Sequence, residues 1–515
     1  MLKSWSIENF KPIVNSGELK LAPVTVLAGR NSSGKSSLLQ SILMIAQTLS
    51  NQLPERALLP NGPLVQLGTF EDILSTLSGS RTLTIQFEIS NEHEDVEQNL
   101  FGVYSSSYYK VTVTFGSGNT DSSSSSVIDA SKVVVEKTTL QFNLQHVDTD
   151  EDKSTKDSII KGNIVTRKIS EEELKRFLKH IASEKYARIL SHGNDKYNYL
   201  GEIIYDGIPG WHQDTPETFL VTLTHFLPDG IVVIPKEATG TIAIVDYTDD
   251  RISLIGIANQ ITRFFASQIR YLGSQRADPG TTQRTFAPTS ELDDVGFKGE
   301  YAAVVYHNNQ AAQINWYNPN TSQTEKGTLQ AALDTWARYL GVAYQVRTET
   351  AGLSGVAWKV VIKHGQQART LQEVGGGLNH VLPILVMGLL APENTLLIIE
   401  EPEVTLHPGV QARLGDFFVG LAKCKKQCLI ETHSENLVSQ LRYHIVQAGG
   451  MENSDCTIYF VDQDEKGAAK FEQVEISARG NILNWPDGFF DETMHQEDRI
   501  TSASIRRRAK LAKNG

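Results

Sequence analysis

Cysteine is scarce in this chain. Three thiols occur in 515 residues, Cys424, Cys428 and Cys456. The nearest pair, CKKQC, has no second Cys or His pair at finger spacing, which argues against a zinc site and against a disulfide scaffold, and fits a reducing compartment. A long apolar run is also missing. The longest, VLPILVMGLLA (381–391), is about half of the ~20 residues that a bilayer-spanning helix needs. The opening MLKSWSIENFKPI lacks the apolar segment of a secretion signal, so a soluble, cytoplasmic chain with no membrane partner is expected. Positive charge is in deficit. A net charge of −12 argues against a surface wholly built for nucleic acid, although a local basic groove is compatible with it. Sustained heptads and internal repeats are absent, so no long coiled-coil arm is expected. What is there is ordinary: 40% apolar and 21% charged residues, enough for two to four globular domains at roughly 100–200 residues each.

The first informative stretch is AGRNSSGKSSLLQSIL (28–43). Gly29, Gly34, Lys35 and Ser36 satisfy G-x-x-x-x-G-K-[ST] in full. Glycines let the backbone curl so that the N–H groups of Arg30, Asn31, Ser32, Ser33 and Ser37 can surround phosphate. Lys35 neutralises the outer phosphates and the Ser36 hydroxyl ligates Mg²⁺. The context agrees: LAPVTVLAG before the loop reads as a buried strand. After it, Leu38, Leu39, Ile42, Leu43 and Ala46 fall at helical spacing. Strand, glycine loop and helix start form an anion site, so ATP with Mg²⁺ is the expected cofactor. Upstream, Lys11 in SIENFKPI either leans over the nucleotide or is a solvated strand-end lysine.

Further along, TLTIQFEIS, YKVTVTF and KVVVEKTTLQFNL alternate with period two and predict an antiparallel meander. GSGNTDSSSSSV (116–127) and DTDEDKSTKD (148–157) read as polar connectors. SEEELKRFLKHIASEKYARIL (170–190) opens with a capping box at Ser170 and Glu173 and predicts a helix; RISLIGIANQITRFFASQIRYLG (251–273) predicts a second. The expected organisation is a lobe at 1–150, an inserted mixed and mainly helical region at 151–365, a second lobe at 366–495 and a basic tail at 496–515. In that tail SIRRRAKLAK (504–513) is either a solvated helix end or a contact for nucleic acid or a partner.

TLLIIEEPEVTLHP (395–408) carries the second half of the chemistry. Leu396 to Ile399 predict a buried strand that delivers Glu400 and Glu401 at its end. Glu400 sits where a Walker B acid would hold the Mg²⁺ water shell, and Glu401 where a base would orient the attacking water. Bare carboxylates at a buried strand end are costly without a partner or metal, which favours function. CLIETHSENL (428–437) repeats the design with Thr432, His433 and Ser434. Following a phosphate loop and an acid strand in order, His433 reads as a γ-phosphate sensor. Gly375, Gly376 and Gly377 lead into the apolar run LNHVLPILVMGLL, a second anion-binding helix start. One chain needs only one such start for its own ATP, so this one suits the ATP of a facing subunit.

The order of phosphate loop, glycine signature, IIEEP and THS resembles the ABC-type ATPase heads of the SMC, RecF and OLD group. The likeness extends to bacterial ATPases, Septu-type antiphage ATPases among their neighbours, with V-G-x-G, LPIL, IIEEPE, LHP, ETHSE and a terminal WP-x-GFFDE, here NILNWPDGFFDE (481–492). It covers residues 1–75 and 370–492, and the middle only through YLGSQR (271–276) and VGFKGEY (295–301). The implied fold is α/β, a P-loop ATPase head with split lobes, an antiparallel meander and an insertion. The implied assembly is a head-to-head homodimer or higher homo-oligomer with two shared ATP sites. Lys35 and Ser36 then bind phosphate and Mg²⁺, and Glu401 is the catalytic carboxylate. His433 senses the γ-phosphate, Gly375 to Gly377 and Asn379 reach across to the partner's ATP, and His407 lies along the dimer seam. Gln66, near LGTFED, is the candidate link from Mg²⁺ to the second lobe. The signature lacks the serine of the general LSGGQ pattern, and Glu400 replaces the commoner Asp, so slow hydrolysis is expected.

OLD relatives add a Toprim nuclease whose acids Asp462 and Asp464 could imitate. However, YFVDQDEKGAAKFEQVEI reads as a hairpin with its turn at DEKG, and too little chain follows for such a domain. The function implied is an ATP-gated sensor or switch in bacterial antiphage defence that controls a separate effector, a nuclease from the same operon. The alternatives are a RecF- or SMC-like DNA-maintenance ATPase and an OLD-like nuclease. A transporter subunit or a metabolic kinase would leave the motifs unexplained.

Overall fold

The computed structural model describes residues 1–51, 58–91, 107–117, 126–135, 138–143, 165–168, 187–192, 218–224, 227–234, 242–249, 252–278, 283–284, 293–350, 355–447, 449–486, 488, 490 and 499–500. At its centre is a six-stranded sheet. Its order is Ile269–Leu272, Leu396–Glu400, Gln427–Thr432, Val24–Gly29, Cys456–Gln463 and Ala469–Val474. The first five strands are parallel. The last returns antiparallel as the hairpin that the DEKG turn predicts, with Asp462 opposite Lys470.

Parallel strands are covered on both faces, and their near-continuous apolar runs follow from that. Side chains alternate between the two covers. Leu396, Ile398, Leu27 and Leu429 pack with the helix Lys35–Leu49 and with the meander. Leu397, Ile399, Val26 and Ile430 pack with the helices Gly377–Leu390 and Pro408–Lys423 on the other side. The meander forms as expected: Leu2–Phe10, Leu83–Asn91, Ser107–Ser117, Ser126–Val135 and Thr138–Asn143 pair in that order. Trp5 ties it to the site, stacking on Phe87 at 5.7 Å and donating its indole N–H to Ser41 in the helix after the phosphate loop. Gln427 joins the two sheets, since its side-chain amide donates to the carbonyls of Leu2 and Ala22 and accepts from Leu2 N–H.

Two helical expectations change. The run 251–273 divides: Ile252–Ser253 is strand, Leu254–Ser267 is helix, and Ile269–Leu272 is the edge strand of the central sheet. The cause is tertiary. Ile269 to Leu272 pair in parallel with Leu396 to Ile399, and that ladder outweighs the helical spacing. The region 151–365 therefore supplies one strand of the central sheet, and among its described residues strand outweighs helix. Of the helix expected at 170–190, residues 187–190 belong to the strand Ala187–His192, paired with Ile242–Asp249. Residues 170–186, the connector 148–157 and the basic run 504–513 lie outside the described residues. Among the described residues no helix is long and apolar enough to cross a membrane.

Candidate nucleotide site

Backbone geometry makes the phosphate loop. Gly29 has φ +147°, and a Cβ there would come within 2.1 Å of the Val461 carbonyl oxygen in the neighbouring strand, so only glycine fits. Ser32 and Gly34 also lie at positive φ, 61° and 111°. Arg30, Asn31 and Ser32 are exposed, Ser33 is buried, and Ser36 and Ser37 are half-buried. Gln463 of the terminal hairpin donates to the Ser32 carbonyl at 2.8 Å. Lys35 is buried. Its ammonium donates to the carbonyls of Gly29 and Arg30 at 3.1 and 2.6 Å, and burial lowers its pKa against the pull of nearby Glu431, Glu401 and Glu403.

Four acids gather at and just beyond the strand ends beside this loop. Glu400 ends its strand 8% exposed; its carboxylate accepts from the Tyr271 hydroxyl at 3.0 Å and from Ser274 N–H at 3.3 Å. Burial raises its pKa. Glu401 follows in a left-handed turn at φ 44°, its N–H donating to the Glu431 carbonyl. Glu403 is buried, accepts from His433 N–H at 2.5 Å, and is raised by burial. Glu431 lies beside Glu400 in register. Its carboxylate accepts from the Ser36 hydroxyl at 3.0 Å and lies 3.9 Å from Lys35 Nζ. Burial first, and then the neighbouring Glu400, push its pKa up to about 7.

His433 closes the cluster. Partial burial first, and then Lys35 nearby, lower the pKa of its imidazole, opposed by Glu401 and the Gly29 backbone. The structure thus brings Gly29, Lys35, Ser36, Glu400, Glu401 and His433 into one neighbourhood. The residues Gly375 and Gly376 stand at open surface, where an added Cβ would meet nothing within 4 Å, while Gly377 rests on Leu406. Asn379 turns its amide to the Ala277 carbonyl at 2.7 Å. Gln66 is exposed in the turn it bridges with Asn61. His407 caps the helix Pro408–Lys423, its ring accepting from Gly409 N–H. Lys11 donates to Gln40 at 2.7 Å.

Sequence reasoning passed over Glu431, Glu403 and the trio Tyr271, Ser274 and Arg276. Arg276 donates to the Glu400 carbonyl at 3.2 Å, and burial lowers its pKa to about 10. CLIE repeats LLIIE as an apolar strand closed by an acid, and that pattern could have flagged Glu431. The fit of a metal is testable here. Glu431 Oε2 is buried with no hydrogen-bond partner, and Ser36 offers a hydroxyl beside it; hard oxygen donors of this kind suit Mg²⁺. Among the described residues no three His, Cys, Asp or Glu side chains could hold an ion alone, so the metal would be shared with phosphates and water. Asp464 accepts from the N–H groups of Lys466 and Ala468 inside the hairpin turn, which is turn chemistry.

Three segments of the chain match known family models. Residues 1–207 match the model described as an AAA ATPase domain. Residues 352–439 match that of an "AAA domain, putative AbiEii toxin, Type IV TA system". Residues 451–500 match a protein family of unknown function, DUF3696. No curated protein matches the chain. Among solved structures it is similar to an SmcHead bound to the C-winged helix domain of ScpA, at 11% identity and TM-score 0.40 over 92% of this chain and 98% of that one. It is also similar to the SMC head domain from Thermotoga maritima, at 9% identity and TM-score 0.37 over 92% and 99%. The two segments that match AAA models, far apart in sequence, meet in one sheet, whose phosphate-loop strand and acid strand flank the strand that precedes His433.

Proposed function

We propose that the chain binds Mg-ATP at residues 29–37 and hydrolyses it slowly, with Lys35 on the outer phosphates, Glu401 orienting the attacking water and His433 reading the γ-phosphate. Bound Mg²⁺ would neutralise phosphate charge, held by Ser36 with an acid from a strand end beside it. Two heads would close around ATP, with Gly375 to Gly377 and Asn379 of one facing the nucleotide of the other. The observation that carries this reading is the gathering of phosphate loop, paired acids and His433 on adjacent strand ends, while the second glycine-led helix opens at exposed surface. Slow turnover is supported by Glu400, whose carboxylate is already engaged by Tyr271 and Ser274.

The decisive measurement is solution mass with and without Mg-ATP. Glu401→Gln should double its mass with ATP, because glutamine keeps the nucleotide but strands the water, and Lys35→Ala should not. Mass that ignores nucleotide in both variants defeats the shared-site dimer. The finer role, a switch for a separate nuclease effector in bacterial antiphage defence, is supported by the resemblance of ETHSE and WPDGFFDE. It predicts that phage protection by the chain with its neighbouring reading frame is lost on Lys35→Ala; protection that survives removes the ATP switch.

A further inference from the structure

Two acids end adjacent strands, and they face different partners. Glu400 gives both carboxylate oxygens to the edge strand and the turn after it, to Tyr271 and Ser274. Glu431 turns to the phosphate loop, and its Oε1 accepts from the Ser36 hydroxyl at 3.0 Å. The residue is 4% exposed, and its Oε2 is buried without a hydrogen-bond partner. Lys35 Nζ lies 3.9 Å from Oε1, the other oxygen, and gives two of its three donors to the carbonyls of Gly29 and Arg30. A buried carboxylate oxygen left unpaired is costly, and a divalent cation with its water shell is a partner able to recover that cost.

We infer that Glu431 is the acid that positions the divalent cation of a bound nucleoside triphosphate beside Ser36, with Glu400 a structural anchor for the end of the neighbouring strand. This rests on the reading of residues 29–37 as an ATP site. The competing role is a latch, in which Glu431 merely holds Lys35 against the loop and opposes every nucleotide, metal-bound or not.

Binding of a fluorescent ATP analogue, titrated with MgCl₂ from an EDTA-treated start, separates the two. Glu431→Gln should move the Mg²⁺ midpoint upward by about tenfold or more, the scale of losing a residue that orients a metal's ligands, with metal-free affinity little changed. Glu400→Gln should move the midpoint less. A Glu431→Gln protein that binds more tightly by the same factor in EDTA and in Mg²⁺ is a released latch, and an unmoved midpoint likewise overturns the inference. Should that variant not fold, Glu431→Asp, which keeps the charge but withdraws it, decides by the same titration. Wild-type protein that binds no analogue under either condition rejects the ATP reading itself, an outcome distinct from both.

Discussion

The strands Leu396–Glu400 and Gln427–Thr432 lie side by side, both fully buried, and each delivers a glutamate at its carboxyl end, Glu400 opposite Glu431. Their surroundings then diverge. Glu400 faces the edge strand, where a tyrosine hydroxyl and a backbone N–H receive it. Glu431 faces the phosphate-loop strand, which pairs with its own through Leu27. The same local pattern therefore yields an anchored acid on one side and an acid with an open valence on the other. Strand order assigns the roles: the acid next to the phosphate loop meets Ser36, and the acid one strand farther out meets Tyr271.

The largest effect expected is at Glu401, which leaves the strand path in a left-handed turn. Glu401→Gln should lower phosphate release by about a hundredfold or more, the lower range of general-base contributions, while analogue binding persists. Retained turnover would move the base to one of the two strand-end acids and collapse the contrast drawn between them.

A pH series sharpens the contrast next. In metal-free protein the Glu431 pKa stands near 7, above its ordinary 4.5. A carboxyl raised on folding favours the folded state while protonated. That contribution is complete below about pH 4.5 and is lost as pH rises through 7. Glutamine imitates the protonated form, so Glu431→Gln in EDTA should raise the melting temperature more at pH 8 than at pH 5. Equal shifts at the two pH values would mean that Glu431 is not held in this environment.

Tyr271→Phe probes the anchored side. Removing one donor from a buried carboxylate should cost about 1–3 kcal/mol in urea unfolding, with the Mg²⁺ midpoint of nucleotide binding little changed. A midpoint that moves as far as in Glu431→Gln would show that both acids serve the metal.

Much of this arrangement was legible in the chain. The phosphate loop, the acid strand, the meander and the terminal hairpin each carry their signal within one short stretch, as glycine spacing, an apolar run or alternation. What escaped depends on pairing between distant stretches. Ile269 and Leu272 fit a helical stripe as well as a strand, and only the ladder to Leu396 and Ile399 decides. In the same way ETHS displays its histidine, whereas the value of Glu431 comes from Ser36 lying across the sheet. The YLGSQR segment stood out as a likeness without a role, because its partner Glu400 is remote in sequence.

The smallest effect expected is at Asn379, and it tests whether the anchored side extends to the glycine-led helix. The edge strand and the segment after it hold Glu400 through Tyr271 and Ser274, and three residues past Ser274 the Ala277 carbonyl takes the Asn379 amide. One short segment thus touches both the acid strand and the start of the helix that would face a second nucleotide. Asn379→Ala should cost the single chain about 0.5–1.5 kcal/mol, the net worth of one hydrogen bond, and leave binding of the ATP analogue unchanged. If the helix start also works across a dimer, the ATP-dependent doubling of mass in the Glu401→Gln background should require more nucleotide when Asn379 is replaced. Doubling at the same nucleotide concentration would confine Asn379 to its bond with Ala277, and would leave the exposed glycines as the only part of that helix start able to meet a facing head.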